Sequence, residues 1–307
     1  MRPIIEGEKM LLLIKRLVKS ILHMIWETQI TIASLLKMFW RCRYVKIPLT
    51  CQNEQELLVL VNGPSLDEQL ENNLEWFKRR TVLCVNHMAG SKYYCKIRPS
   101  YYVMIHSGFF DEKYKTDKER KTLENIVNLT TWNMYLVVPM YARKACTFSE
   151  IVERNQNIKI CYINLFDFRG FSWLRDYFRE KQLVTFACYN VLSASLCAAI
   201  YFGFKQIYIL GADHNYHQTL RVTDDNYVVR PDPHFYDTKA DNNTTIVLRH
   251  PDGKKMTMSE QLQSIAEAFG EYEEIEKYAK MKNVSIYNLT PNSSIDAFEK
   301  KSYMMCQ

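Results

Sequence analysis

Leu57 to Ser65 reads Leu-Leu-Val-Leu-Val-Asn-Gly-Pro-Ser, an apolar run that stops abruptly in a small polar turn. So short a run, apolar on both alternating sides, suits an interior parallel strand covered on both faces. Gly63 lets the backbone approach a ligand closely, and Pro64 fixes the exit of the chain. Asn62 and Ser65 offer hydrogen-bonding groups at the strand's carboxyl end, where open α/β sheets bind ligands.

The same pattern recurs along the chain. Ser65 is placed to cap a helix predicted from Asp67 to Arg79. Thr81–Val85 and Ser100–Ile105 read as strands ending at Asn86 and His106, so three strand ends would line one crevice. Leu136–Pro139 and Ile158–Asn164 read as further strands, and Asp111–Glu124 as a surface helix or an ordered excursion. The aromatic segment Phe166–Tyr177 fits either an acceptor pocket or a hydrophobic flank.

The second strong unit is Asn190–Asp213. Small residues such as Ser193 and Ala199 make a helix that can lie close to a sheet, Gly203 stops it, and Ile207–Leu210 is a buried strand. Its end delivers Gly211, Ala212 and Asp213 to the rim, followed by the polar loop His214-Asn215-Tyr216-His217. The helix start near Asn190 is expected to offer free amides to a phosphate or a base. Val222–Asp252 reads as one long polar connection, a lid or binding loop or else disorder. Met258–Lys280 reads as a helix, Val284–Asn288 as a last strand, and Thr290–Ser293, with Asn292, as its rim turn. The predicted fold is α/β, a Rossmann-like mainly parallel sheet with helices on both faces. It occupies residues 51–307, with the polar loop at 214–256, behind an amphipathic helical segment at residues 1–50.

Charge sets that first segment apart. Arg2, Lys9, Lys15, Arg16, Lys19, Lys37, Arg41, Arg43 and Lys46 stand there against Glu6, Glu8 and Glu27, an excess equal to the net +6 of the whole chain. Apolar stretches alternate with these charges, and none approaches the ~18 residues that would span a bilayer. The pattern predicts a basic amphipathic helix or helical hairpin, with Trp26 and Trp40, on an anionic membrane surface through residues 1–46. Packing on the chain's own core or in an oligomer is the alternative. The rest of the chain is neutral, which argues against nucleic acid as a partner. The nine cysteines form no CxxC pair and read as reduced core residues of a cytosolic protein.

Five motifs in order resemble one family: Val-Asn-Gly-Pro-Ser-Leu at 61–66, Cys-Val-Asn at 84–86, the strand ending at His106, Gly-Phe-Lys-Gln-Ile-Tyr-Ile-Leu-Gly-Ala-Asp at 203–213, and Ile-Tyr-Asn-Leu-Thr-Pro-Asn-Ser at 286–293. Residues 56–299 are similar in these motifs to the bacterial family 42 sialyltransferases and to the related 6-hydroxymethylpterin diphosphokinase-like group. The resemblance implies a metal-independent glycosyltransferase using a nucleotide-sugar donor, a CMP-sugar favoured. Its acceptor would be a glycan or lipid-linked molecule of bacterial surface polysaccharide synthesis, met at the cytoplasmic face of the inner membrane. Asn62, Gly63, Pro64, Ser65, Asn86, His106, Asn190, Ser193, Gly211, Ala212, Tyr216, Asn292 and Ser293 would then hold the donor.

The family's base falls near Thr257–Gln261, where this chain has no histidine. Deprotonating an acceptor hydroxyl near neutral pH suits histidine. His234 is the first choice, followed by His214 and His217, with Asp213 as the carboxylate alternative. The spacing of Asp213, His214, His217 and His234 fits no established zinc pattern, and no metal site is expected. A pterin or nucleotide pyrophosphokinase, needing Mg²⁺, and a non-catalytic nucleotide- or glycan-binding scaffold are the competing classes.

Overall fold

The structure is a computed structural model and describes residues 2–50, 56–231, 234–236, 245–249 and 253–302. A single helix, α1 (Arg2–Arg41), comes first, where the sequence left a helical hairpin open. The body follows as β1 (Glu56–Leu60), α2 (Leu66–Lys78), β2 (Val82–Val85), α3 (Tyr94–Ile97), β3 (Tyr101–Val103), α4 (Asp117–Leu129), β4 (Met134–Pro139), α5 (Cys146–Arg154) and β5 (Ile158–Ile163). After these come α6 (Ser172–Glu180), α7 (Val191–Phe202), β6 (Gln206–Leu210), the short strands β7 (Arg221–Val222), β8 (Val228–Pro231) and β9 (Thr245–Val247), then α8 (Met258–Met281), β10 (Ser285–Asn288) and β11 (Glu299–Lys300).

Eight strands form one sheet in the order β11-β10-β6-β1-β2-β3-β4-β5. Every pairing in it is parallel. Alternation along β1 explains its central place. Leu57, Val59 and Val61 point into a core closed by α7 and α8, while Leu58 and Leu60 point into one closed by α2 to α5. The fold is therefore α/β and Rossmann-like, with helices on both faces. β1 to β5 run outward in one direction, and the chain then returns to place β6 on the other side of β1. The carboxyl ends of β1 and β6 thus flank the switch point, where a parallel sheet leaves a crevice.

Several local expectations are corrected. Ser65 makes no side-chain cap for α2. The second half of the aromatic segment falls in α6, and the long connection carries a second, antiparallel three-stranded sheet, β7-β8-β9, rather than a continuous loop. Part of that connection, residues 232–233, 237–244 and 250–252, lies outside the described residues, as do Cys51 and Cys306. Cys95 and Cys146 are exposed instead of lying in the core. Residues 42–50 are stitched to the body: Asn164 Nδ2 donates to the Arg43 carbonyl, Ile47 N–H donates to Gln182 Oε1, and Ile47 is buried in the core.

Candidate functional site

Two glycines bring the ends of β1 and β6 together. Val61 N–H donates to the Leu210 carbonyl at 2.8 Å, and Gly63 N–H donates to the Gly211 carbonyl at 2.8 Å. A Cβ at Gly63 would stand 2.0 Å from Asp213 Oδ2 and 2.5 Å from the Gly211 carbonyl oxygen. Gly211 has φ +71°, and a Cβ there would meet the Val61 oxygen at 2.5 Å. Both positions therefore need glycine, Gly63 for space and Gly211 for space and backbone conformation.

A cavity of about 540 Å³ opens over this crossing, a size typical of small-ligand sites. Asn62, Gly63, Pro64, Asn86, Asn190, Gly211, Asp213, His214, Tyr216 and His234 line it, so ten of the expected residues converge. Asn62 Nδ2 donates to the Val85 carbonyl at 3.4 Å, and the main-chain carbonyl of Asn62 accepts from Phe235 N–H at 3.2 Å. The side-chain oxygens of Asn62 and Asn86 are buried without a hydrogen-bond partner in the structure. A buried amide oxygen without a donor is costly, and a ligand bearing hydroxyl or amine donors would relieve it.

The remaining expected residues sit elsewhere. Ser65 Oγ donates to Asp213 Oδ2 at 2.9 Å, behind the cavity wall. Ala212 and Ser293 brace the turn from within: Ala212 N–H donates to Thr290 Oγ1 and Ser293 Oγ donates to the Ala212 carbonyl. Asn292 takes the left-handed conformation in that turn, at φ 54°. His217 is exposed beside Phe269. His106 lies off the cavity, its Nδ1 3.9 Å from Glu119 Oε1.

The helix start at Asn190 is organised differently from the expectation. Asn190 Oδ1 accepts from the amides of Leu192 and Ser193, which are therefore not free for a phosphate. With Oδ1 committed to the cap, Asn190 Nδ2 faces away from it and donates to the Tyr272 hydroxyl at 2.8 Å. Tyr272 is 3.1 Å from His214 Nδ1. Asn190 Nδ2 can only donate, so the assignment that gives each group a partner sends the phenol proton to Nδ1 and puts the proton of neutral His214 on Nε2. Burial, with a smaller contribution from the Arg230 charge, pushes the His214 pKa down to about 4. His214 is thus neutral near pH 7, and with Nδ1 turned to Tyr272 it presents Nε2 to the cavity.

Asp213 presents the opposite case. Burial raises its carboxyl above the usual value, while hydrogen bonds from the Ser65 hydroxyl and amide oppose that shift. His234 lines the cavity with its ring stacked on Tyr236 at 5.2 Å between centroids.

Sequence reasoning missed Arg230, which enters from β8 and brings positive charge to the lining, its guanidinium 4.6 Å from the centre of the Tyr216 ring. It read α8 as a helix but missed its part in the lining, to which it contributes Gln261, Ser264, Ile265 and Ala268. Their spacing, continued by Tyr272, marks one helix face, and the polar Gln261 and Ser264 on an otherwise apolar stripe were the available signal.

No family model and no curated protein matches the sequence. Among solved structures the chain is similar to the MAf glycosyltransferase from Magnetospirillum magneticum AMB-1, at 12% identity and a TM-score of 0.47. The match covers 92% of this chain and 39% of that one, so the chain spans about two fifths of that structure's length. Identity so low carries no cavity residue from one protein to the other.

Proposed function

We propose that the chain is a glycosyltransferase that binds a nucleotide-sugar, a CMP-sugar by preference, in the cavity between β1 and β6. The observation carrying this reading is the mixed chemistry of one lining. A guanidinium at Arg230 and a neutral imidazole donor at His214 suit a phosphate, while two unpartnered amide oxygens at Asn62 and Asn86 suit hydroxyl or amine donors on a sugar or base.

In the proposed reaction an acceptor hydroxyl attacks the anomeric carbon and the bond from that carbon to the phosphate oxygen breaks. The hydroxyl proton passes to His234, with Asp213 as the alternative base, and the nucleotide leaves as its phosphate anion. Arg230 and the Nε2–H of His214 stabilise the charge that grows on the leaving oxygen. Asp213 is the one carboxylate among the described lining residues, fewer than a Mg²⁺-diphosphate site of the pyrophosphokinase class ordinarily uses.

Thermal shift against a nucleotide panel is the test, with CMP expected to raise the midpoint. Hydrolysis of a CMP-sugar that persists in EDTA would support metal-independent transfer. Absence of stabilisation by every nucleotide would overturn the proposal.

A further inference from the structure

Helix α1 runs for 40 residues, about 60 Å at the rise of an α-helix, and among its described side chains, from residue 10 onward, the buried ones form a narrow stripe in its second half. Thr31 and Ser34 are buried there; Thr31 Oγ1 accepts from Phe171 N–H at 3.0 Å and Ser34 Oγ accepts from Arg169 N–H at 3.2 Å. Ile14, Leu17, Ile21, Ile25, Ile32 and Leu36 recur at helical spacing and are all exposed. At 100° per residue they share one side of the helix, turned away from Thr31 and Ser34. Lys15, Arg16, Lys19, Lys37 and Arg41 occupy one flank and the opposite side, against the lone Glu27 between residues 10 and 41. An apolar stripe this long exceeds what scattered surface residues explain.

We propose that α1 lies flat in the interface of an anionic lipid bilayer, apolar stripe down. Charge selects this occupant. Pairing α1 with α1 of a second copy would leave these cations without neutralising acids, whereas an anionic headgroup layer complements them. Trp26 and Trp40, both exposed, add the amphipathic rings that favour the headgroup level. Crossing the bilayer is not the geometry, because no described helix is long and apolar enough to do so.

The docking point gives the contact a direction. Arg169 and Phe171 follow β5, so α1 is fastened at the carboxyl rim of the parallel sheet, the rim that also carries the cavity. A bilayer bound through α1 therefore meets the molecule on its cavity rim. Delivery of a lipid-linked acceptor along that surface rests on the transferase reading; the membrane contact itself does not.

The test is co-sedimentation of the full chain with vesicles of phosphatidylcholine alone and with about one third phosphatidylglycerol. Binding is expected to be at least about ten-fold stronger to the anionic vesicles, to weaken with added salt, and to blue-shift tryptophan emission. The double substitution Leu17→Glu and Ile21→Glu should lower partitioning about ten-fold or more while leaving circular dichroism and any CMP-induced thermal shift unchanged. Equal binding of the variant, or of both vesicle types, would overturn the proposal. So would a lipid-free dimer, seen by analytical ultracentrifugation, that forms through α1 and excludes vesicles. The CMP shift reports on the cavity alone, so loss of either reading leaves the other measurable.

Discussion

Ser65 Oγ donates to Asp213 Oδ2 at 2.9 Å across 148 residues of sequence, and this bond takes the place of a cap on α2. It ties the loop after β1 to the loop after β6 and fixes a half-buried carboxylate at the cavity wall. Ser65→Ala should cost about 1–3 kcal/mol at neutral pH, because a half-buried charge loses its donor. Burial holds the Asp213 pKa above its usual value in the folded state. Its favourable contribution is therefore complete below the unfolded pKa and is lost as pH rises through the folded one. Asp213→Asn should consequently match or exceed the native stability at pH 7 and flatten that part of the pH profile, as measured by urea titrations at several pH values.

The glycine crossing makes a steric prediction. Gly63→Ala would set a Cβ 2.0 Å from Asp213 Oδ2, and should destabilise by about 1–3 kcal/mol, the usual range for overpacking. Gly211→Ala adds the cost of φ +71° to a contact of 2.5 Å with the Val61 oxygen, and should be the worse of the two. Equal chemical-denaturation midpoints for native protein and both variants would refute the crossing.

Tyr272→Phe removes the donor to His214 Nδ1 and leaves Asn190 Nδ2 unpaired. Nitrogen-15 NMR of the His214 ring should show the Nε2–H tautomer in the native chain and a mixture in the variant. Stability should fall by about 1–3 kcal/mol for the stranded buried amide, and CMP affinity should fall with the loss of a fixed Nε2 donor.

Arg230 and His234 are expected to separate binding from chemistry. Arg230→Gln should weaken CMP while leaving cytidine, which lacks the phosphate, nearly unaffected in the same calorimetric titration. His234→Asn should lower kcat by about 10²–10⁴-fold, the usual worth of a general base, with little change in donor affinity. A native rate in the His234 variant would move the role of base to Asp213.

Acid should destabilise the fold before its carboxylates titrate. Burial pushes the pKa of both His214 and His87 down to about 4, with Arg230 adding to the effect at His214 and Lys118 at His87. The unfolded chain therefore binds more protons between its own histidine pKa and that value. Stability from these two residues is complete above pH ~6.5 and is lost as pH falls toward 4. Denaturation midpoints should decline over that interval, and less steeply in a His214→Asn variant.

The strands were legible because each is a short apolar run ended by a polar turn. β1, β2 and β6 were found to within a residue or two by local pattern, as were the rim positions of Asn62, Asn86 and Asp213. The misreadings have a common cause. Ser65 has the composition of a cap and Asn190 the position of a free helix start, but each polar group found a different partner once the chain had folded. Arg230 lay inside a segment read as polar loop, since strands as short as β7 to β9 leave almost no periodic trace.

The sequence by itself determined a parallel α/β sheet and the small-residue turns after β1 and β6, because apolar runs and glycines act over a few residues. It also determined that α1 is amphipathic and basic. Only the tertiary structure decided which side chains meet: Ser65 with Asp213, Asn190 with Tyr272 and His214, Arg230 with Tyr216. It alone decided that α1 is fastened at the cavity rim through Thr31 and Ser34. These contacts join residues far apart in the chain, and their partners are chosen by the topology of the sheet, which no local spacing encodes.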